Sequence, residues 1–232
     1  MQLLIDGDII VYRCGAVTNT EPVSHALHST KMMVNSIVSS GEIAFGACTP
    51  VVYLTSTDKS NYRNKIAVTR GYKANRPDNK PVHYDAIRKY LVDQYDAIIV
   101  TGQEADDALG IAQMQNENSC ICTLDKDLDM IPGHHYNFVK KTFYEVSEKE
   151  AIKNFYTQLL VGDSVDNIPG AKGIGKVKAK KLLDGLETED ELYSTCLDAY
   201  NGDLELMTEM GQLLWIRRAP DQLWEPPKGN TI

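Results

Sequence analysis

Short apolar runs alternate with segments of helical spacing, and this alternation limits the folds open to the chain. The apolar runs cover residues 3–5, 51–55, 97–100 and 120–124. Each is bounded by polar residues and has the length of a buried strand in a parallel sheet. Helical spacing occurs over residues 25–38, 84–95 and 105–114. The pattern predicts an α/β domain with a mainly parallel sheet over roughly the first 145 residues.

Acidic residues follow three of the apolar runs. They are Asp6 after the first run, Glu104, Asp106 and Asp107 after the third, and Asp125 and Asp127 after the fourth. The carboxyl ends of parallel strands form one edge of the sheet, where ligands bind. Carboxylates that converge there repel one another unless a cation lies between them, and Mg²⁺ or Mn²⁺ suits oxygen ligands. Two such ions can drive phosphodiester hydrolysis, so the sequence predicts a metal-dependent nuclease.

Each acidic group alone also has an ordinary structural interpretation. An acid at a helix start complements the helix dipole, and Asp after a strand is a common turn former. We interpret Asp8 as structural, Asp129 as a solvated loop residue, and His134 and His135 as a loop. Three groups together, with a further pair at 163 and 166, favour the metal site.

The charge distribution indicates a nucleic-acid partner although the net charge is −8. Residues 59–89 hold nine Lys and Arg against two Asp, and a second basic stretch over 172–181 contains no acid. Such patches can neutralise phosphates, although each could also be a solvated charged face. We therefore expect the basic stretches to bind phosphates and the acidic residues to be concentrated at a separate site.

The remaining chain is predicted to be mostly helical. Ser147 and Glu150 form a capping-box pattern that opens a helix through 161, and a second helix begins at 176. Gly173 and Gly175 precede that second helix, where backbone N–H groups can approach a phosphate closely. The tail from 220 is expected to be extended.

Two compositional features bear on location. The five cysteines are scattered and odd in number, which indicates buried thiols in a reducing compartment. No apolar stretch reaches the roughly 20 residues of a membrane span, and no cationic leader precedes residue 3. We expect a soluble cytoplasmic protein without a membrane partner, in a host bacterial cytoplasm if it is phage-encoded.

Together the motifs resemble the 5′-nuclease family, which includes flap endonucleases, the 5′-nuclease domain of bacterial DNA polymerase I and phage 5′-exonucleases. The matching segments are 4–7, 62–63 with 71–77, 104–107, 123–127 and 162–175. They occur in the family's order and cover about residues 1–185. The position of Asp58 and the ending 211–224 resemble the exonucleases of short-tailed lytic phages most.

The resemblance implies a PIN-like 5′-nuclease fold with a mainly parallel central sheet. It implies an α/β catalytic region over 1–145 with a helical arch at 59–92. A helical DNA-binding region would follow at 146–232, with a helix–three-turn–helix at 147–185. The two regions would form one integrated domain.

The resemblance also implies ligands for two Mg²⁺ or Mn²⁺ ions. Those around the first ion would be Asp6, Asp58, Glu104, Asp106, Asp125 and Asp127, and those around the second Asp127, Asp163 and Asp166. Asp107 would be an outer member of the cluster.

Roles in binding nucleic acid follow from the same resemblance. Lys73 and Arg76 would grip the scissile phosphate with Arg63 nearby, and Tyr72 would stack on the terminal base. Residues that would contact the duplex are Gly173, Gly175, Lys172, Lys176, Lys178 and Lys180. The turn that contains the two glycines would bind K⁺ through backbone carbonyls.

The predicted function is 5′-to-3′ exonuclease action on duplex DNA with 5′ ends, nicks or flaps, with flap or RNA-primer cleavage as a further activity. We expect a monomer that works with replication proteins. Two alternatives stay open, a PIN-type ribonuclease and a structure-specific DNA-binding module without catalysis. PIN domains generally lack the helix–three-turn–helix, and a non-catalytic module would not need the full set of carboxylates.

Overall fold

A computed structural model describes residues 1–77 and 79–227. The main sheet of this part of the chain consists of β1 (Gln2–Asp6), β2 (Thr49–Thr55), β3 (Ile98–Val100), β4 (Ser119–Cys122), β5 (Gly133–Asn137) and β6 (Thr142–Val146). The strand order is β3-β2-β1-β4-β5-β6. The first five strands are parallel, and β6 runs antiparallel to β5. The prediction of a mainly parallel α/β sheet is confirmed.

Helices cover both faces of the sheet. They are α1 (Gly7–Val17), α2 (Val23–Phe45), α3 (Arg63–Ile66), α4 (Tyr84–Tyr95), α5 (Ala105–Gln115), α6 (Glu148–Val161), α7 (Lys176–Leu182), α8 (Glu189–Ala199) and α9 (Leu204–Leu214). Successive residues of β1 point to opposite faces, so Leu3 and Ile5 pack with α1, α2 and α4. Leu4 packs on the other side with α5, α6 and α9.

The segment at 133–137 and the start of the first helix differ from the sequence prediction. His134 and His135 lie in β5 rather than in a loop, because pairing with β4 buries this segment. The His135 ring is fully buried, and its Nε2 lies 2.8 Å from the Ile131 carbonyl. Helix α1, which starts directly after Asp6, was not predicted.

Within the range 59–92, predicted as a helical arch, residues 63–66 and 84–92 are helical. Helix α3 lies within this range and α4 begins in it but ends beyond it, at Tyr95, and residues 67–77 and 79–83 between the two helices are not helical. Gly71, Pro77 and Pro81 fall in this stretch, and such residues disfavour helix. Asp78 lies outside the described residues.

The C-terminal region is helical as predicted. The capping box of α6 forms between Ser147 and Glu150. A short hairpin, β7 (Gly162–Asp163) and β8 (Ile168–Pro169), and a turn then connect α6 to α7. One core contains Leu4 and Ile121 of the sheet together with residues of α6 to α9, so the two regions pack as a unit. The predicted extended tail is described as far as residue 227, and 228–232 lie outside the described residues.

The cysteines match the prediction of buried thiols except at Cys48, which is half-buried. The five thiols are unpaired, and four of them are buried. Among the described residues, no helix combines the length and the apolar character needed to cross a membrane.

Candidate functional site

The predicted carboxylates gather at the carboxyl edge of the sheet, where the chain order reverses between β1 and β4. Asp6 ends β1, and Asp125 follows β4, its direct neighbour. Glu104 and Asp106 lie at the start of α5, beyond β3. The crevice at such a reversal point is where open α/β sheets bind ligands.

An open cavity of about 1720 Å³ lies over this edge. The predicted site residues that line it are Asp6, Asp58, Tyr72, Lys73, Arg76, Glu104, Asp106, Asp125, Asp127, Asp163, Asp166, Lys176 and Lys180. Those outside its lining are Arg63, Asp107, Lys172, Gly173, Gly175 and Lys178. The fold therefore brings residues from five separate motifs to one surface.

Asp6 is held rigidly at the floor of the cavity. Its carboxylate caps α1 by accepting from the Ile9 N–H at 3.0 Å, and it accepts from the Thr123 hydroxyl at 2.8 Å. The same hydroxyl accepts from the Asp125 N–H at 3.0 Å, so Thr123 links the two acids. Sequence reasoning gave Thr123 no role, although it lies in the matched motif. The residue after Asp6 has to be small: a Cβ at Gly7 would lie 2.5 Å from the Tyr53 carbonyl oxygen.

The carboxylates of Asp6, Asp106, Asp125 and Asp127 lie near one another, and none of them forms an ion pair within residues 1–77 and 79–227. Burial, followed by repulsion from Asp8, raises the pKa of Asp6 to about 7. Burial and then repulsion from Asp125 raise the pKa of Asp127 to about 7. The pKa of Asp106 is raised by burial and by Asp6 and Asp125, and burial also raises that of Asp125. No hydrogen bond or ion pair to the Asp106 carboxylate occurs within residues 1–77 and 79–227.

Glu104 and Asp166 are instead neutralised by the basic segment between α3 and α4. The Lys73 ammonium lies 2.5 Å from Glu104 and 3.5 Å from Asp166, and Arg76 pairs with Asp166. The Tyr72 hydroxyl is 2.9 Å from an oxygen of each acid and can donate its one proton to either. Burial would raise the pKa of Glu104, but Lys73 and Arg63 outweigh it, and the net shift is downward.

The same basic segment is docked onto the loop of the β7–β8 hairpin. The Lys73 N–H donates to the Asp166 carbonyl at 2.9 Å. The Asn75 amide donates to the Ser164 carbonyl at 2.8 Å, and the Asn167 amide donates to the Gly71 carbonyl at 2.9 Å. The phosphate-binding candidates are therefore fixed against the part of the helical region that carries Asp163 and Asp166.

Arg63 does not lie where the sequence suggested, because it pairs with Asp107 inside the protein. Their side chains are 3% and 0% exposed and form a two-bonded ion pair with contacts of 2.6 and 2.9 Å. Arg63 also donates to the carbonyls of Leu213 and Trp215. Because its donors are used inside the protein, Arg63 cannot grip a phosphate in this arrangement. Asp107 caps α5 through the Glu104 N–H and is shielded from the cavity.

Three other acids have distinct surroundings. Asp58 is exposed on the rim and accepts from the Ser60 N–H at 2.9 Å. Asp8 accepts from the Thr55 N–H and pairs with Arg88, contacts that suit the predicted structural role, although it also lines the cavity. Asp129 is half-buried and accepts from the Tyr144 hydroxyl at 2.7 Å, which contradicts its interpretation as a solvated loop residue.

The donor set fits a hard divalent cation in its chemistry. As the side chains stand, no three His, Cys, Asp or Glu among the described residues are close enough together to hold one ion. The unbalanced carboxylates nevertheless offer the oxygen ligands that Mg²⁺ and Mn²⁺ prefer. A cation among them would remove the repulsion that raises their pKa values.

The predicted duplex-binding residues form an exposed surface. The lysines at 172, 176, 178 and 180 are exposed, as are both glycines of the preceding turn. Gly173 has a φ of +73°, and neither glycine would place a Cβ within 4 Å of another described atom. The turn is thus open to close approach by a ligand.

The raised pKa values predict an unusual pH dependence of stability. Asp6 binds a proton up to about pH 7 when folded, and only up to about pH 4 when unfolded. Stability of the metal-free protein should therefore fall as pH rises through this window. One pKa unit corresponds to about 1.4 kcal/mol, or roughly 3–6 °C in melting temperature for a chain of this size. We expect the melting temperature in EDTA to fall by at least about 5 °C between about pH 5 and pH 8.

Differential scanning calorimetry with and without Mg²⁺ tests this expectation. Bound metal should flatten the pH profile and raise the melting temperature at neutral pH. Asp6→Asn in EDTA should reduce the slope of the profile, since one of the carboxyl groups with a raised pKa is gone. A profile that rises from pH 5 to pH 8 in EDTA would mean that the carboxylates do not crowd as described.

The candidate site is an acidic cavity at the reversal point of a mainly parallel α/β sheet, with basic residues across it. The chain is 32% identical over 178 residues to DNA polymerase I of Caldicellulosiruptor bescii, covering 67% of this chain and 21% of that protein. It is 30% identical over 172 residues to the 5′-3′ exonuclease of Bacillus subtilis, covering 62% and 55%. The chain thus spans about a fifth of the length of the first relative and about half of the length of the second. No family model matches the sequence.

Solved structures share the fold. The T5 D15 protein co-crystallised with metal ions superposes with a TM-score of 0.68 at 16% identity, covering 92% of this chain and 88% of that one. The catalytic core of Rad2 in complex with DNA substrate gives a TM-score of 0.52 at 13% identity, covering 97% and 82%. The resemblance to the 5′-nucleases is confirmed, because the chain has homologues named 5′-3′ exonuclease and DNA polymerase I and shares the fold of the T5 protein.

Proposed function

We propose that this chain is a metal-dependent 5′-to-3′ exonuclease that hydrolyses phosphodiesters from 5′ ends of duplex DNA. Flap and RNA-primer cleavage are proposed as further activities of the same site. The observation that carries the proposal is the unbalanced carboxylate cluster facing Lys73 and Arg76 across one cavity. The relatives named DNA polymerase I and 5′-3′ exonuclease support it and favour a role in replication, repair or recombination.

The carboxylates would hold two divalent ions, Mg²⁺ or Mn²⁺. We assign one ion to Asp6, Glu104, Asp106 and Asp125, and the other to Asp127, Asp163 and Asp166. Asp58 would contribute from the rim and Asp107 from behind α5. Bound divalent cations supply a water of lowered pKa and neutralise charge on the phosphate. Metal ions are bound in solved structures of the T5 5′-exonuclease and flap endonuclease.

Lys73 and Arg76 would bind the scissile phosphate. In the structure they neutralise Glu104 and Asp166. Once these acids coordinate a cation, the ammonium and guanidinium groups no longer have to balance them and can turn to the phosphate. Tyr72, whose hydroxyl contacts the same two acids, would then be available to stack on the terminal base.

The turn before α7 would hold the duplex. Exposed lysines at 172, 176, 178 and 180 would contact phosphates without reading sequence. Gly173 and Gly175 would admit the backbone of one strand, with K⁺ bound to carbonyls of the same turn. Because Lys176 and Lys180 also line the catalytic cavity, one bound duplex can reach both surfaces.

Digestion of labelled substrates tests the proposed function. Duplex, nicked, gapped and 5′-flapped DNA, labelled at one end, would be incubated with the purified chain in Mg²⁺ and in EDTA. We expect release of short products from the 5′ end with Mg²⁺ and none with EDTA. A preference for the matched RNA duplex would favour a PIN-type ribonuclease, and tight binding without cleavage would favour a non-catalytic module.

A further inference from the structure

The segment after α9 leaves the helical region and packs against the α/β region, where it contacts Gln103, Asp107 and Met130. We call residues 215–224 the C-terminal strap. Its ends, Trp215 and Trp224, are 6% and 4% exposed. Both pack on Phe155 of α6, with ring centroids 5.0 and 5.4 Å away. The strap is therefore anchored to the helical region at both ends.

Arg217 of the strap contacts the residues on both sides of Glu104. Its Nη1 donates to the Gln103 side-chain oxygen at 2.8 Å, and its N–H donates to Asp107 at 3.1 Å. Asp107 in turn accepts from the Glu104 N–H at 3.1 Å. The guanidinium carbon lies 4.0 Å from the centroid of the Tyr62 ring, a cation–π distance. These contacts with the strap therefore fix the backbone on either side of Glu104.

Arg218 contacts the other loop that carries carboxylates. Its Nη2 donates to the Met130 carbonyl at 2.7 Å. Met130 ends the short 3₁₀ helix that begins at Asp127. The strap therefore reaches two carboxylate-bearing loops with two consecutive arginines.

Stability alone is a poor explanation for burying these arginines. Neither Nε has a hydrogen-bond partner within the described residues. An unsatisfied buried donor costs about 1–3 kcal/mol. A local arrangement that is unfavourable in this way is often retained for function.

We propose that the C-terminal strap is a positioning element for the metal centre and that it acts on Glu104 mainly through Arg217. The inference rests on the proposed function, because it assumes that Glu104 binds a divalent ion. Groups that orient metal ligands from behind typically change metal affinity or activity by about 10–100-fold. Since the strap continues directly from α9, it also ties the metal centre to the helical region.

The test compares Arg217→Ala, Arg217→Lys and the control Arg13→Ala, whose arginine is exposed on α1. Mn²⁺ affinity of the full chain would be measured by isothermal titration calorimetry, and duplex affinity in EDTA by fluorescence anisotropy. Arg217→Ala should weaken Mn²⁺ binding about tenfold. Arg217→Lys should keep most of the parental Mn²⁺ affinity, because its ammonium can still contact Gln103 and the Tyr62 ring. Arg13→Ala should bind Mn²⁺ like the parent chain, and duplex affinity should stay within about twofold for all three.

Parental Mn²⁺ affinity in a folded Arg217→Ala chain would overturn the inference. If Arg217→Ala does not fold, Gln103→Met replaces it, because this change removes the acceptor and leaves Arg217 over Tyr62. Gln103→Met should weaken Mn²⁺ binding in the same direction, and an unchanged affinity would again overturn the inference. If the parent chain itself neither binds Mn²⁺ nor cleaves DNA, the proposed function fails instead.

Discussion

Asp106→Asn should stabilise the metal-free protein and at the same time abolish DNA cleavage. Asp106 has no hydrogen bond or ion pair among the described residues, and burial together with Asp6 and Asp125 raises its pKa. Asn has nearly the same shape but no charge, so the substitution removes repulsion from the folded state. At about 1.4 kcal/mol for each unit of pKa, the melting temperature in EDTA should rise by at least roughly 3 °C at neutral pH.

The same substitution removes a carboxylate that we assign to a divalent ion. Loss of such a ligand should lower the cleavage rate about 10³-fold, which corresponds to roughly 4 kcal/mol. The two effects have opposite signs because repulsion between the carboxylates destabilises the metal-free protein, while the same carboxylates are the proposed metal ligands. Sites built for function often show this exchange of stability for activity.

The measurement pairs thermal unfolding in EDTA with cleavage of a flapped duplex in Mg²⁺. Asp184→Asn is the matched control, since Asp184 is an exposed acid on the rim of the same cavity. It should change the cleavage rate by no more than about threefold, within the range of ordinary surface substitutions. Cleavage by Asp106→Asn within tenfold of the parent rate would remove Asp106 from the proposed metal site.

Much of this architecture could be predicted because the strands and their acids are local features. The strand before Asp6 and helix α4 are read from short apolar runs and helical spacing, and both are found where expected. Convergence of the acids then follows from parallel topology, which places the carboxyl ends of strands at one edge. These inferences need no knowledge of contacts between distant side chains.

The errors concern long-range contacts that a local pattern does not contain. The family resemblance places Arg63 near the scissile phosphate, beside Lys73 and Arg76, whereas in the structure its side chain is paired with Asp107. Its partner Asp107 is 44 positions away, and the carbonyls that it also contacts are about 150 positions away. His135 is likewise predicted to lie in a loop, whereas in the structure pairing between β5 and β4 buries it. Burial of a charged or polar residue depends on the tertiary fold, so sequence spacing gave no signal for it.

Arg63→Ala should be among the most destabilising single substitutions in this chain. Arg63 is 3% exposed and makes four hydrogen bonds, two to Asp107 and one each to the carbonyls of Leu213 and Trp215. Its removal leaves the Asp107 carboxylate buried without its ion-pair partner. Breaking a buried pair from one side costs about 3–5 kcal/mol. The melting temperature should fall by roughly 6–20 °C.

A double-mutant cycle separates the ion pair from its surroundings. Arg63→Ala combined with Asp107→Ala should be less destabilising than the sum of the two single changes, with a coupling of about 1–3 kcal/mol. Folded Arg63→Ala, measured in EDTA well below its melting temperature, should retain duplex affinity within about twofold, because a buried guanidinium contacts no phosphate. Additive effects on stability together with a tenfold loss of duplex affinity would return Arg63 to the phosphate-binding role. The expected result instead makes Arg63 and Asp107 the buried support on which Glu104 and the C-terminal strap rest.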